Sequence, residues 1–351
     1  MKGVELIKKL SECFGPTAFE GEVAAAIREE LADLPDKIAV ESDRMGNLTY
    51  HLQGPEGAPR VMLSAHMDEV GVMITEIDGS GFLRFDTLGG IDPRVLSGRG
   101  VWIGDETHRV PGVIAAKGIH LQSAEERGRT PTTEAMYIDI GARDDEEAEA
   151  AAPLGTAGTF DTPFHTFGKD DTYLCGKALD DRMGCAILIE VLRAVAATPP
   201  PLDLWFCFTV REEIGKSGAR VTANRVAPDI GIVIETTAIA DLPEVDPARR
   251  VAFVGKGGVL SLADRSTIYD RGLIDLALRV AGENGIPVQI KRYVSGGNDA
   301  AHVQRSGTGT RCLALSAPTR YLHSPVSVAS LSDYEAMRDL LIALLRDRKE
   351  F

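Results

Sequence analysis

The chain has few cysteines, few aromatic residues and no long apolar run. Its five cysteines are scattered, odd in number and form no Cys-X-X-Cys pair. A disulfide framework or a zinc knuckle is therefore not expected, and a reducing cytoplasm is the predicted location. No stretch approaches the ~20 apolar residues that a membrane helix needs, and the charged N-terminus does not have the pattern of a secretory signal.

Positive charge is also scarce. The chain carries 38 Lys and Arg residues against 52 Asp and Glu residues, a net charge of −14. Nucleic-acid binding and attachment to an anionic membrane both need a basic face, so neither a nucleic acid nor a membrane is an expected partner. An acidic chain suits a site that collects divalent cations, although a solvated acidic surface is the commoner origin of such charge.

The chain is long enough for two domains, or for one large domain with an insertion, at 351 residues. Between residues 70 and 165, short β-like runs alternate with Gly, Asp and Pro turns, which predicts a small β-rich domain. Residues 1–69 and 166–351 instead alternate helical periodicity with buried strands. That pattern predicts an α/β fold with a mixed, mostly parallel sheet flanked by helices.

Individual elements follow from apolar periodicity and from Gly and Pro breaks. Helices are predicted at 2–13, 19–34, 183–197, 272–284 and 332–348. The last of these helices is expected to be capped by Ser332 or Asp333. Buried strands are predicted at 60–65, 202–210, 230–234 and 311–315.

Side chains of the types that can bind metal ions follow three of the predicted strands. They are His66 with Asp68, the adjacent pair Glu212 and Glu213, and Glu235. In open α/β sheets, ligands bind outside the carboxyl ends of the strands. We therefore expect loops at this edge of the sheet to bring these groups together.

The local patterns suggest separate roles for some of these side chains. A metal-binding histidine usually donates its second ring N–H to a nearby acceptor, so we assign His66 as a ligand and Asp68 as its orienting partner. Adjacent glutamates cannot point the same way, so one of Glu212 and Glu213 can bind metal while the other faces substrate and water. Asp180 precedes a predicted helix, where a carboxylate can also be a simple cap.

Seven short segments, in their order and spacing, resemble the M42 family of metallo-aminopeptidases over the whole length of the chain. They are AHMDEVG at 65–71, GVIAAKGIH at 112–120, KALDDR at 177–182, TVREEIG at 209–215, IVIETT at 232–237, SGGNDAA at 295–301 and RYLHSP at 320–325. Each segment alone is weak evidence for the family, but their combination is specific to it. The resemblance implies hydrolysis of N-terminal residues from peptide substrates.

The resemblance also implies a site with two divalent ions per subunit, Zn²⁺ or Co²⁺ with Mn²⁺ as a further option. Asp180 would bridge the ions, with His66 and Glu235 on one ion. The other ion would be held by Glu213 and by His323, which lies in a loop beside a proline. Glu212 matches the family's general base.

The family further implies a particular architecture and assembly. Residues 1–69 and 166–351 would form a zinc-peptidase-like catalytic domain. Residues 70–165 would form an inserted domain that mediates dimerisation, and many members assemble further into hollow dodecamers. A homo-oligomer is therefore expected.

Two positions depart from the family pattern, and they keep other functions open. Glu235 stands where Asp is usual, and Asn298 stands where Thr is usual. In related two-metal families, Glu at the first position tends to accompany carboxypeptidases or deacylases, so a deacylase or carboxypeptidase is an alternative. A non-catalytic scaffold is another alternative. An endoglucanase, the older label of some relatives, would instead need two carboxylates flanking a sugar without metals.

Overall fold

A computed structural model describes residues 2–347. Its α-helices are α1 (Lys2–Glu12), α2 (Gly21–Glu30), α3 (Ala124–Arg127), α4 (Asp145–Ala151), α5 (Leu179–Ala197), α6 (Ser217–Val226), α7 (Arg271–Asn284), α8 (Ala300–Val303) and α9 (Leu331–Arg346). Its strands are β1 (Ala39–Ser42), β2 (Leu48–Leu52), β3 (Arg60–His66), β4 (Gly71–Ile77), β5 (Leu83–Leu88), β6 (Gly100–Gly104), β7 (Arg109–Ala116), β8 (Met136–Asp139), β9 (Ala157–Phe160), β10 (His165–Phe167), β11 (Tyr173–Gly176), β12 (Asp203–Thr209), β13 (Ile230–Ala238), β14 (Gly258–Leu260), β15 (Val288–Ile290), β16 (Arg311–Thr319) and β17 (Ser327–Ser330).

A mixed sheet of eight strands, in the order β1-β2-β12-β3-β13-β16-β14-β15, forms the centre of the fold. The central strands β12, β3, β13 and β16 are parallel to one another. Antiparallel pairs join β1 to β2, β2 to β12 and β14 to β16. The predicted α/β fold with a mixed sheet and helices is therefore confirmed.

The central strands are apolar along most of their length because helices cover the sheet. Almost every residue of β12 and β13 is buried, as expected of parallel strands that are not exposed on either face. The helices pack in two groups: in the first, α1 contacts α5, α5 contacts α9 and α9 contacts α7, and in the second, α6 contacts α8. Within residues 2–347, no helix is both long and apolar enough to cross a membrane.

Between β3 and α5 the chain forms a second structure, a closed barrel with the strand order β4-β5-β8-β7-β6-β9. Its buried apolar side chains, including Val72, Ile103 and Ile138, form a cluster separate from the main core. The first and last strands of the barrel pair with each other, Val72 opposite Gly158. The chain therefore enters and leaves the barrel at neighbouring points.

The last helix shows where local sequence signals fail. Helix α9 begins at Leu331, after Ser330, whose side chain makes no capping hydrogen bond. Asp333 is fully buried and instead accepts the backbone N–H groups of Gly255, at 2.7 Å, and Gly257, at 2.6 Å. The predicted cap at Ser332 or Asp333 is therefore wrong, because a distant loop takes the carboxylate. The predicted helix end at 348 lies outside the described residues.

A buried ion cluster joins the barrel to the main sheet. The carboxylate of Glu69 contacts Lys177 at 2.7 Å and Arg182 at 3.1 Å, and its second oxygen accepts the hydroxyl of Thr159 at 2.8 Å. Arg182 is fully buried and also donates to the carbonyl of Met67 at 2.7 Å. Glu69 therefore connects strand β9 of the barrel to Lys177 and Arg182, on either side of Asp180.

Replacing Glu69 with Ala leaves two buried cations without their shared carboxylate. We expect this change to lower the free energy of unfolding by about 3–5 kcal/mol, measured by urea denaturation. Thr159→Val removes one hydrogen bond to the same carboxylate and serves as the matched variant, with an expected loss of about 1 kcal/mol. Equal losses in the two variants would show that the cations do not depend on Glu69.

Candidate metal centre

The carboxylate of Asp180 lies between two imidazole rings. Its Oδ1 atom is 3.2 Å from Nε2 of His66, and its Oδ2 atom is 3.4 Å from Nε2 of His323. Glu235 approaches the first ring, with Oε2 at 3.7 Å from Nε2 of His66. Glu213 approaches the second, with Oε2 at 3.3 Å from Nε2 of His323. Two His-and-carboxylate groups therefore share one aspartate.

These groups have the composition and spacing of metal sites. In each of the two sets, His66 with Asp180 and Glu235, and His323 with Asp180 and Glu213, the candidate ligand atoms lie within 4.8 Å of one another. One imidazole nitrogen combined with carboxylate oxygens suits borderline divalent ions such as Zn²⁺, Co²⁺ or Mn²⁺. The side chains present therefore fit the two divalent ions that the family resemblance implies.

Strand register brings His66 and the glutamate pair to the same edge. Strands β3 and β12 are parallel neighbours, and His66 lies opposite Thr209. Arg211 then adopts a left-handed conformation, with φ of 58°, and turns the chain so that Glu212 and Glu213 face the histidine. Because parallel strands end at one edge, this convergence is the one that the sequence predicted.

Glu235 departs from the expectation that it follows its strand. Strand β13 continues to Ala238, so Glu235 lies inside the strand and opposite Ser316 of β16. The side chain is buried and still reaches the centre. The predicted strand end was too early because Thr236 and Thr237 are polar but buried, and they continue the sheet.

Asp68 contacts more than the imidazole for which it was assigned. The Nδ1 atom of His66 donates to the backbone carbonyl of Asp68 at 3.1 Å, and the Asp68 carboxylate is 3.4 Å away. That carboxylate accepts the backbone N–H groups of Glu212 at 2.9 Å and Glu213 at 3.1 Å, and the hydroxyl of Thr17 at 2.8 Å. Asp68 therefore orients both the first imidazole and the glutamate pair.

His323 is oriented from the barrel side. Its Nδ1 atom lies 3.1 Å from the carbonyl of Gly90, in the connection between β5 and β6. The preceding residue, Gly89, has a φ of 86°, and an added Cβ atom would lie 2.7 Å from Val70 and 3.4 Å from Glu213. Only glycine fits there, so the carbonyl that orients His323 depends on it.

Charge is concentrated in this buried cluster. Burial opposes a charged imidazole, yet Asp180 and Glu213 together raise the pKa of His323 to about 9. Burial and then Asp180 raise the pKa of Glu213 well above its usual range. Burial raises the pKa of Glu235 to about 7, with His66 opposing the shift. The cluster therefore holds more carboxylates than positively charged groups. Bound cations would neutralise this excess of negative charge.

Two contacts of the centre were not predicted. The ammonium of Lys216 is 2.8 Å from Oε1 of Glu212, a pair that the i, i+4 spacing could have suggested. Asp299, to which the sequence assigned no role, is buried and accepts the hydroxyl of Thr209 at 2.7 Å. Thr209 precedes the glutamate pair in the chain and Lys216 follows it, so both contacts adjoin the pair.

Glu20 supports the left-handed turn that precedes the glutamate pair. It is buried, and its Oε1 atom accepts the backbone N–H groups of Arg211 at 3.0 Å and Ala18 at 2.9 Å. Burial, with a contribution from the charge of Asp68, raises the pKa of Glu20 to about 7. The folded chain therefore retains this proton at a pH at which the unfolded chain has lost it.

Replacing Glu20 with Gln should change how stability depends on pH. Between pH ~4.3 and about 7, only the unfolded wild-type chain ionises Glu20, so wild-type stability falls relative to the variant as pH rises. Gln keeps the oxygen that accepts both N–H groups. At pH 8 we expect the variant to be more stable by about 2–3 kcal/mol, with near equality at pH 4, in urea titrations of both proteins. Parallel pH profiles would refute the shift.

A polar cavity of about 260 Å³ opens beside the centre. The candidate ligands Asp180, Glu213 and His323 line it, as does Glu212. Its other lining includes Ser261, Asp264, Lys291 and the segment 295–298. The candidate ligands therefore face a space into which a small substrate group can enter.

Histidines and carboxylates gathered over a polar cavity at the edge of an α/β sheet are typical of metal-dependent hydrolases. A family model described as M42 glutamyl aminopeptidase matches residues 46–340, and the chain belongs to that family. The resemblance inferred from the seven sequence segments is therefore confirmed. The chain is accordingly a metal-dependent aminopeptidase.

Individual relatives match the chain over nearly its full length. A putative aminopeptidase of Acetivibrio thermocellus is 35% identical, covering 96% of this chain and 97% of its own. The structure of a TET aminopeptidase from a marine sediment Thaumarchaeota archaeon has a TM-score of 0.94 at 34% identity, covering 100% of this chain and 97% of its own. The TET1 peptidase of Pyrococcus horikoshii, which can assemble into a tetrahedron or a large octahedral shell, has a TM-score of 0.86 at 35% identity, covering 98% and 99%.

Proposed function

We propose that the chain removes N-terminal residues from peptides by using two divalent ions that share Asp180. His66 and Glu235 would hold one ion, and Glu213 and His323 would hold the other. The observation that carries this proposal is that the two oxygens of Asp180 face different imidazoles, at 3.2 and 3.4 Å. The donor set favours Zn²⁺ or Co²⁺, with Mn²⁺ as a further option.

The bound ions would polarise the scissile carbonyl and favour ionisation of the attacking water. Glu212 is the proposed general base. It takes the proton of the attacking water and returns it to the departing amine. The Lys216 ammonium contacts the Glu212 carboxylate, and the Asp68 carboxylate accepts the backbone N–H of Glu212. Both the side chain and the backbone of the proposed base are therefore held in place.

We propose that the barrel segment, residues 70–165, is an inserted dimerisation domain and that residues 1–69 and 166–351 form the catalytic domain. The separate apolar cluster of the barrel supports this division. Val113, Ile119 and Leu121 are exposed apolar residues in this segment and are suited to a contact between copies. A TET1 peptidase structure described as a dodecamer supports association of such dimers into a dodecamer. We propose the cytoplasm as the location.

Metal replacement combined with a substrate panel tests the proposed chemistry. The protein is stripped with a chelator, reloaded with Zn²⁺, Co²⁺ or Mn²⁺, and assayed on aminoacyl-p-nitroanilides and on N-acyl amino acids. We expect two ions per chain, and restored hydrolysis only of substrates with a free α-amine.

Each alternative predicts a different result in this panel. Preferential hydrolysis of N-acyl amino acids would favour a deacylase, the alternative raised by Glu235. Fewer than two tightly bound ions with no turnover would favour a scaffold. Hydrolysis of a β-glucan that survives the chelator would favour an endoglucanase.

A further inference from the structure

The loop that carries His323 has an unfavourable backbone conformation. It joins β16 to β17, and both Tyr321, with φ of 60°, and His323, with φ of 53°, are left-handed although neither is glycine. Such a residue keeps this conformation only where the contacts around it fix the backbone. The side chain of His323 is also 37% exposed, whereas that of His66 is 2% exposed. The position of His323 therefore depends on specific contacts more than on burial.

Arg320 supplies such contacts at the base of this loop. Its backbone N–H donates to the carbonyl of Val328 at 2.9 Å, and the N–H of Val328 donates to the carbonyl of Arg320 at 3.1 Å. The guanidinium of Arg320 donates from Nε and Nη2 to the two carboxylate oxygens of Asp241, each at 2.8 Å. A bidentate pair restricts the orientation of its partners as well as their distance. Arg320 is therefore held through both its backbone and its side chain.

Asp241 has a fixed position of its own. Its side chain is 7% exposed, and its Oδ2 atom also accepts the backbone N–H of Val254 at 3.2 Å. Asp241 follows strand β13, which contains the candidate ligand Glu235 and pairs with β16 along its full length. The Asp241–Arg320 pair therefore extends the contact between these two strands into the loops beyond them, and one of those loops carries His323.

We infer that the Asp241–Arg320 pair positions His323 and thereby sets the affinity of one of the two proposed ions. The affected ion is the one assigned to His323 and Glu213, so the inference rests on the proposed two-ion site. Groups that orient a metal ligand contribute roughly 10- to 100-fold to metal affinity. Without the carboxylate of Asp241, the loop loses a contact that fixes its left-handed residues, and the imidazole is no longer held beside Asp180.

The other proposed ion has ligands that do not depend on this loop. His66 is buried at the end of strand β3, and Glu235 is buried inside strand β13. Both positions are fixed by the hydrogen bonds of the central sheet. The Asp241–Arg320 pair should therefore affect the two ions unequally, whereas a general loss of stability would weaken both.

The experiment measures metal affinity in Asp241→Asn and in a matched control, Asp270→Asn. Asp270 forms a bidentate pair with Arg311, at 3.1 and 3.2 Å, at the opposite end of strand β16. Metal-stripped proteins are titrated with Co²⁺ by calorimetry, and bound Co²⁺ is counted by mass spectrometry. We expect Asp241→Asn to bind one Co²⁺ roughly 10- to 100-fold more weakly, and the other within about threefold of wild type. Asp270→Asn should bind both ions as wild type does.

Two further variants separate positioning of His323 from a loss of fold. Arg320→Lys keeps the positive charge but not the planar fork, so it should weaken the same ion by a smaller factor. This variant decides the question if Asp241→Asn does not fold. In the His323→Ala background, Asp241→Asn should cause no further loss of affinity for the remaining ion, because the pair acts through the imidazole that is already absent.

Several outcomes would overturn the inference. One is wild-type affinity for both ions in Asp241→Asn or, where that variant does not fold, in Arg320→Lys. Another is an equal loss of both ions, or an equal effect in Asp270→Asn, since either result indicates a general structural role. A further loss in the His323→Ala background would show that the pair acts elsewhere. A wild-type chain that binds fewer than two Co²⁺ ions would instead contradict the proposed function, which the wild-type titration tests by itself.

Discussion

Glu212→Gln is expected to lower kcat by roughly 10³-fold or more while both metal ions remain bound. A positioned acid–base group contributes about 10²–10⁴-fold to catalysis, and the amide can neither accept nor return the proton. The Gln side chain is nearly isosteric, and the Asp68 contact to the backbone N–H of residue 212 does not involve the changed group. Turnover of an aminoacyl-p-nitroanilide and metal content per chain are measured on the same preparation.

The metal measurement decides between two roles for Glu212. His66, Glu212 and Glu213 also lie close enough to share an ion. If the variant loses an ion together with its activity, Glu212 is a ligand. If it retains both ions and near-normal turnover, the assignment as base is wrong. Glu56→Gln, an exposed glutamate, is the matched control and should behave as wild type.

Asp180→Ala is expected to remove both ions, because the two candidate groups depend on the same carboxylate. Loss of the ions forfeits several kcal/mol of transition-state stabilisation, so kcat/KM should fall by roughly three orders of magnitude or more. Metal content by mass spectrometry and kinetics with excess added metal are the measurements.

A second variant makes this result specific. His323→Ala should weaken chiefly the ion that Glu213 also holds, leaving about one tightly bound ion per chain. Asp145→Ala, at an exposed position of α4, should leave the metal content unchanged. If Asp180→Ala retained two ions, the shared site would not exist.

Strand order explains how much of this centre could be predicted. His66 and the glutamate pair follow two strands that proved to be parallel neighbours, so their convergence follows from the edge rule for α/β sheets. The position of His323 could not be derived in this way. It lies in a loop with φ of 53°, and its ring is oriented by the barrel carbonyl of Gly90. Only the resemblance to a family indicated it.

Other features were beyond local sequence signals for a common reason. The sequence predicted short β-like runs between residues 70 and 165, but closure of the barrel depends on pairings such as β4 with β9, far apart in the chain. Asp333 had the sequence of a helix cap, but a remote glycine loop provided better donors. In each case, contacts between residues far apart in the sequence determined which of the locally allowed conformations formed.

The hydrogen bond between Gly90 and His323 has a consequence for how this molecule can change through evolution. One candidate ligand takes its ring orientation from the same segment that is proposed to join subunits. Mutations that move this segment at the proposed contact between copies would therefore change the orientation of His323 without replacing a candidate ligand, so the proposed assembly and the proposed metal site would constrain each other.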